Sequence, residues 1–225
     1  RKHGEYDFQR YSWGESLADF DCVFFSDPSI QKNNDLTLGW FQYSEDNFGI
    51  EALRLLISDL LKAKGYKESE LLIFGSSGGG FVSLKLSDFF ENALVVAINP
   101  QIYLYNYTSS VYEKMVDTCY EGRTSSFVKL NFLERVTFFP KKTERKNPII
   151  VFQNLADEKH YLKHFKPLAK WLNEKIHDVD RVSESLPGNC FQLAIYNDDV
   201  LKHAPPMKNE TMDLVDIAIR YSSFV

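Results

Sequence analysis

Leu71-Leu72-Ile73-Phe74-Gly75-Ser76-Ser77-Gly78-Gly79-Gly80-Phe81-Val82-Ser83-Leu84-Lys85-Leu86 reads as a buried strand, a glycine-rich turn and the opening of a helix. At the junction stands a G-x-S-x-G pattern, Gly75 to Gly79, with Ser77 at its centre. A serine at the tip of such a turn is held in a strained backbone conformation that lifts its hydroxyl clear of the sheet. Side chains in place of the flanking glycines are expected to collide with strand or helix. Ser77 is therefore the candidate nucleophile. Glycine-rich strand-to-helix turns also cradle phosphates. A dinucleotide fingerprint needs G-x-G-x-x-G, whereas the first two glycines here are three apart. A P-loop ends in Lys followed by Ser or Thr, where this chain has Gly80-Phe81-Val82.

Outward from this unit, strands and helices alternate. Residues 20–26 (FDCVFFS) form a β-rich apolar run ended by Asp27-Pro28, and 48–64 carry apolar residues at helical spacing, closed by Gly65. Strands are expected at 71–74, 94–98, 148–153 and 191–196, and helices at 78–90, 160–176 and 207–221. This pattern predicts an α/β fold, a mostly parallel sheet flanked by helices on both faces. Between Pro100 and Asn147 the alternation breaks into a segment with Tyr103, Tyr105, Tyr107 and Tyr112. We read 1–225 as one domain with a cap-like insertion at 101–147, lying over the carboxyl ends of the strands where ligands bind in open α/β sheets. Aromatic residues there could stack on sugar rings, although packing is their commoner use.

The chain has 225 residues, 44% of them hydrophobic, enough to bury a core without staples. A net charge of −5 argues against a nucleic-acid binder, which would carry a basic stripe. Lys141, Lys142, Arg145 and Lys146 form a basic cluster read as a solvated loop; an anionic glycan or a phosphorylated cofactor is its alternative use. Cys22, Cys119 and Cys190 are too scattered for a disulfide framework or a zinc knuckle and are expected as buried thiols. No apolar stretch approaches the roughly eighteen residues needed to cross a bilayer. The sequence starts at Arg1 with no initiator Met or signal-like run, as a piece of a longer chain would. A cytoplasmic location is the working expectation.

A serine hydroxyl needs a general base, and the base needs a carboxylate to fix its tautomer. In this architecture the order along the chain is Ser, acid, His, each just past the carboxyl end of a strand. Asp157 follows the strand at 148–153, and His203 follows the strand at 191–196. Asp157 could instead be a helix N-cap, and Glu158 is the nearest substitute. Asp198 or Asp199 would orient His203 if Asp157 does not. His160 and His164, four apart on one helix, read as a solvated pair and not as metal ligands; His177 reads as a helix-end histidine. The backbone N–H of Gly78 is the first expected oxyanion donor, with the Ser76 hydroxyl as an addition. A second backbone donor is expected upstream of residue 20, near His3-Gly4 or Arg10-Tyr11-Ser12-Trp13. The residues call for no cofactor and no metal.

Gly75-Ser76-Ser77-Gly78-Gly79-Gly80-Phe81, Ala97-Ile98-Asn99-Pro100-Gln101, Asp157 and His203 together resemble the α/β-hydrolase superfamily. Arg10-Tyr11-Ser12-Trp13, Ser26-Asp27-Pro28 and Leu38-Gly39-Trp40-Phe41 narrow the likeness to the bacterial group associated with surface-polysaccharide loci. The resemblance implies a Ser77-Asp157-His203 triad that transfers or removes acetyl groups on sugar hydroxyls, and it departs from the superfamily in lacking the first strands and the usual oxyanion loop. The expected activity is a serine esterase acting on a small-molecule or glycan acyl ester. An O-acetyltransferase using acetyl-CoA is its sibling, and a non-catalytic glycan-binding or assembly domain its rival.

Overall fold

The computed structural model describes residues 8, 10–140, 147–179 and 191–222. Five parallel strands, β1 (Leu72–Ser76), β2 (Leu94–Ile98), β3 (Ile149–Asn154), β4 (Ile176–Asp178) and β5 (Phe191–Tyr196), form one sheet in the order β1-β2-β3-β5-β4. Every residue of β2 and β3 is buried, as expected of strands covered on both faces. Val95, Ala97, Ile149, Val151 and Leu193 face the larger core, which includes residues of α1 (Gly49–Lys64) and α2 (Gly78–Leu86). Their neighbours Leu94, Val96, Ile98, Ile150, Phe152 and Ala194 face the other way, against Leu214, Val215 and Ala218 of the C-terminal helix (Lys208–Ser222). Period-two alternation thus splits five short strands between two helical layers.

Residues between β2 and β3 fold into α3 (Ser109–Cys119), α4 (Ser125–Asn131) and α5 (Leu133–Val136). Tyr112, Met115, Val116, Tyr120 and Val128 join these helices to the main core. Tyr120 donates its hydroxyl proton to Gln42 Oε1 at 2.6 Å, and Gln42 Nε2 donates to the Arg135 carbonyl at 2.8 Å, tying the segment to the loop before α1. Tyr103 and Tyr112 are buried packing residues, whereas Tyr107 is half-buried.

Several expectations are corrected. Residues 20–26 are not a strand: among the described residues, 21–26 make no backbone hydrogen bond, and Phe20, Val23 and Phe25 are exposed. Apolar β-branched and aromatic residues make a strand only where a ladder partner exists, and among the described residues β1 pairs with β2 alone. Cys22 is exposed, Cys119 is buried, and Cys190 lies outside the described residues, as does the basic cluster at 141–146. The helix expected from 160 starts earlier and stops sooner. It comprises α6 (Glu158–His160), a π-helical turn (Tyr161–Phe165) and α7 (Lys166–Leu172), ending at Asn173 in the left-handed region. His177 therefore sits in β4 and not at a helix end. No helix among the described residues is long and apolar enough to cross a membrane.

Candidate active site

The site starts from the turn between β1 and α2. Ser77 has φ 51° and ψ −118°, a conformation few non-glycine residues adopt. It is held from both sides: its N–H donates to the Ile98 carbonyl at 2.9 Å, and its own carbonyl accepts from Phe81 at 3.2 Å and Gln101 at 3.3 Å. Such strain persists only where the surroundings over-determine it. A Cβ on Gly75 would fall 2.2 Å from the Gly79 carbonyl oxygen and 2.5 Å from Ser83 Oγ, so β1 and α2 meet there only through glycine. At Gly79 a Cβ would meet nothing within 4 Å, contrary to the expected collision. Gly78 and Gly80 are close approaches as well: a Cβ would lie 2.6 Å from Leu38 Cδ1 and 2.9 Å from Pro100 Cβ, respectively.

Ser77 Oγ lies 3.1 Å from His203 Nε2, and His203 Nδ1 lies 2.6 Å from Asp157 Oδ2. Asp157 is buried; the His203 side chain is about one-third exposed. Asp157 also caps α6, accepting from His160 N at 3.3 Å, so the helix cap and the carboxylate facing His203 are one residue. Glu158 is exposed on α6. Asp198 turns its carboxylate to Val200 N and Leu201 N, both at 3.0 Å, and shapes the loop before His203 without touching the ring. Asn154, at the end of β3, joins the two loops. Its Nδ2 donates to the Asp198 and Lys202 carbonyls at 2.9 and 2.8 Å, and its Oδ1 accepts from Asp198 N and Ala156 N at 2.9 and 3.1 Å.

His160 and His164 are buried, not solvated. The π-helical turn that begins after His160 departs from the regular i, i+4 geometry on which the solvated reading depends. His160 Nδ1 is 3.0 Å from Asp157 Oδ2, and its ring stacks on His203 with centroids 3.8 Å apart and planes at 17°. His164 Nδ1 accepts from Ile102 N at 3.1 Å and Tyr103 N at 3.3 Å, which requires that nitrogen to be unprotonated. Burial pushes His164 down to about 3 and also lowers His160, against the pull of Asp157. Burial by itself would raise Asp157, but hydrogen bonds from His160 and His203 hold it well below the usual carboxylate range. Asp157, His160 and His203 bring possible metal-donor atoms within 4.8 Å of one another. In this arrangement the Nδ1 atoms of both rings are engaged by the carboxylate.

Gly78 opens α2, so its N–H is among the leading amides that no helical carbonyl reaches. Ser76 Oγ accepts from Arg10 at 2.7 Å. The Arg10 guanidinium, lowered in pKa by burial, also lies over the rings of Trp13 and Phe74. His3-Gly4 lies outside the described residues. Three polar contacts at the site are not visible from sequence reasoning: Asn154, His160 on Asp157, and Gln101, whose Nε2 donates to Ser77 Oγ at 3.0 Å. The resemblance quoted Gln101 only as part of a motif. Tyr107 completes the surroundings, its ring 6.4 Å from His203, 5.7 Å from His160 and 6.0 Å from Trp40.

No family model and no curated relative matches the sequence. Solved structures do match in fold. The chain is similar to the capsule O-acetyltransferase of Neisseria meningitidis serogroup A, with a TM-score of 0.51 and 14% identity, covering 81% of this chain and 67% of that one. It is also similar to prolyl oligopeptidase B from Galerina marginata, with a TM-score of 0.50 and 14% identity, covering 79% of this chain and 24% of that one. The chain has an α/β-hydrolase fold. In this fold, Ser77 follows β1, Asp157 follows β3 and His203 follows β5, all beyond the carboxyl ends of parallel strands.

Proposed function

We propose that this protein is a serine-dependent hydrolase that cleaves an acyl ester, an acetyl group on a carbohydrate, through an acyl-Ser77 intermediate. One observation carries the reading: a strained serine at a strand-to-helix turn in line with an imidazole at 3.1 Å and a buried carboxylate at 2.6 Å beyond it. Ser77 Oγ attacks the ester carbonyl carbon as its proton passes to His203 Nε2. The imidazolium is steadied by Asp157, and the negative charge on the former carbonyl oxygen is met by the Gly78 N–H. Ser76, which accepts from Arg10 and keeps its own proton, is the side-chain candidate for the same oxygen. The tetrahedral centre collapses as the C–O bond to the sugar breaks, and the leaving oxygen takes the proton from His203. Water then loses a proton to His203 and attacks the acyl carbon; Ser77 Oγ departs and recovers that proton.

Transfer is the second reading, favoured by the fold likeness to a capsule O-acetyltransferase. There acetyl-CoA is the acyl donor, and a sugar hydroxyl replaces water in the last step with the same residues. The segment between β2 and β3 serves as the cap in both readings, and Tyr107, whose ring lies 6.4 Å from His203, is the residue of it that we assign to a sugar ring.

Intact mass after fluorophosphonate treatment of wild type and Ser77→Ala tests the nucleophile. A single adduct absent from the mutant is expected. A folded wild type that takes no adduct would refute the reading in favour of a non-catalytic scaffold. Release of CoA from acetyl-CoA that depends on added glycan acceptor would identify a transferase; release of acetate from an acetylated glycan into water would identify the esterase.

A further inference from the structure

We infer that Trp40 and Gln101 form a clamp that points the Ser77 hydroxyl at His203, with Gln101 a catalytic residue and Trp40 a positioning residue. The inference rests on the serine-nucleophile reading and deepens it. Trp40 Nε1 donates to Gln101 Oε1 at 2.5 Å, and both residues are at most 1% exposed. An indole N–H can only donate, so the amide oxygen must face Trp40 and the amide nitrogen must face away. That nitrogen lies 3.0 Å from Ser77 Oγ, to which it can only donate. Oγ has one proton. With a lone pair occupied by Gln101, the proton is left for His203 Nε2 at 3.1 Å. Nε2 then accepts, which puts the ring proton on Nδ1, facing Asp157 at 2.6 Å.

Each link sets the sense of the next. With the amide reversed, its oxygen would accept the Ser77 proton, and His203 would face only lone pairs. The same amide N–H stays aimed at Oγ as the proton leaves and negative charge grows there, so the contact is stronger in the transition state than before it.

The loop that carries Trp40 is built for the purpose. Asp27 accepts from Ser29 N at 2.9 Å and from Gly39 N and Phe41 N at 3.1 Å, and Ser29 Oγ accepts from Tyr43 N at 3.0 Å. Trp40, Phe41 and Tyr43 have φ of 50°, 56° and 58°, three non-glycine residues in the left-handed region within four positions. A Cβ on Gly39 would fall 2.4 Å from Ser29 Cβ. Backbone strain of this kind is held where it serves a site, and here it delivers the indole to Gln101. Ser26-Asp27-Pro28, Leu38-Gly39-Trp40-Phe41 and Asn99-Pro100-Gln101, none of which enters the triad, become parts of one device.

The test is the rate of fluorophosphonate labelling at Ser77 across the range where imidazole titrates. It compares wild type, Gln101→Leu, Gln101→Glu, Trp40→Phe and the double variant Trp40→Phe/Gln101→Leu, each with a melting curve to establish folding. Gln101→Leu is expected to label about 10- to 100-fold more slowly. Trp40→Phe loses less, and the double variant is no slower than Gln101→Leu, because Trp40 acts through Gln101. Gln101→Glu keeps the shape. Ionised, it accepts the Ser77 proton; protonated, it donates to Oγ, so its rate relative to wild type rises as pH falls, which a packing defect alone would not cause. Undiminished labelling of Gln101→Leu, additive losses in the double variant or a flat Gln101→Glu ratio would each overturn the clamp while the nucleophile stands. An unlabelled wild type would overturn the nucleophile and the clamp with it.

Discussion

Alanine at Gly75 and alanine at Gly79 are formally the same change at the two glycines of one motif, and the structure assigns them opposite signs. A Cβ at 75 would sit 2.2 Å from the Gly79 oxygen, and real Cβ atoms essentially never come under 3.0 Å, so helix and strand must separate by about 0.8 Å at the least. α2 has no free direction in which to retreat cheaply, because Gly80 already rests against Pro100. Overpacking of this kind costs about 3 kcal/mol, which for a chain of this length lowers Tm by roughly 6–12 °C. Because Ser77 stands between the two elements, a shift near 1 Å also lowers its reactivity about 100-fold. Gly79 is exposed and helical with open space around it, so alanine there stabilises by up to about 1 kcal/mol through helix propensity. Melting curves and fluorophosphonate labelling of both variants decide the matter. Equal losses, or a Gly75→Ala protein as stable and reactive as wild type, would refute the steric argument.

Asp157→Asn keeps the cap on α6 but removes the charge shared by His160 and His203; ester turnover is expected to fall about 10⁴-fold with folding retained, measured against a chromogenic acetate ester. If the Ser76 hydroxyl reaches the acyl oxygen, Ser76→Ala lowers turnover about 100-fold; unchanged turnover reduces Ser76 to an anchor for Arg10. His164 is lowered from 6.5 to about 3 by burial, so the unfolded chain binds the extra proton first. Stability is complete above 6.5 and lost as pH falls toward 3, at about 1.4 kcal/mol per pH unit. His164→Gln, which can still accept from Ile102 and Tyr103, is expected to flatten that slope in urea titrations at neutral and mildly acid pH.

Four of the five strands and the chain order of the three site residues were legible because punctuation marks the strands: Asn99-Pro100 after β2, the two residues Leu155-Ala156 between β3 and Asp157, and the Asn197-Asp198-Asp199 loop before His203; β4 was hidden under the expected helix end. Buried strands announce themselves as apolar runs. Residues 20–26 look the same in composition, but a strand is a pairing and not a property of its residues. The burial of His160 and His164 was illegible for a different reason, since an i, i+4 spacing cannot reveal a π-helical turn. Gln101 and Trp40 are 61 positions apart, and Asn154 is 44 from Asp198. A polar side chain whose partners are that distant carries no local signal at all.

Asn154 has one further consequence. All four of its side-chain hydrogen bonds run between the end of β3 and the loops bearing Asp157 and His203. Asp157 and His203 thus sit in a single cooperative unit, and one cannot fray while the other stays. In amide hydrogen exchange, Ala156 and Asp198, 42 positions apart but both bound to Asn154 Oδ1, would open with one common free energy.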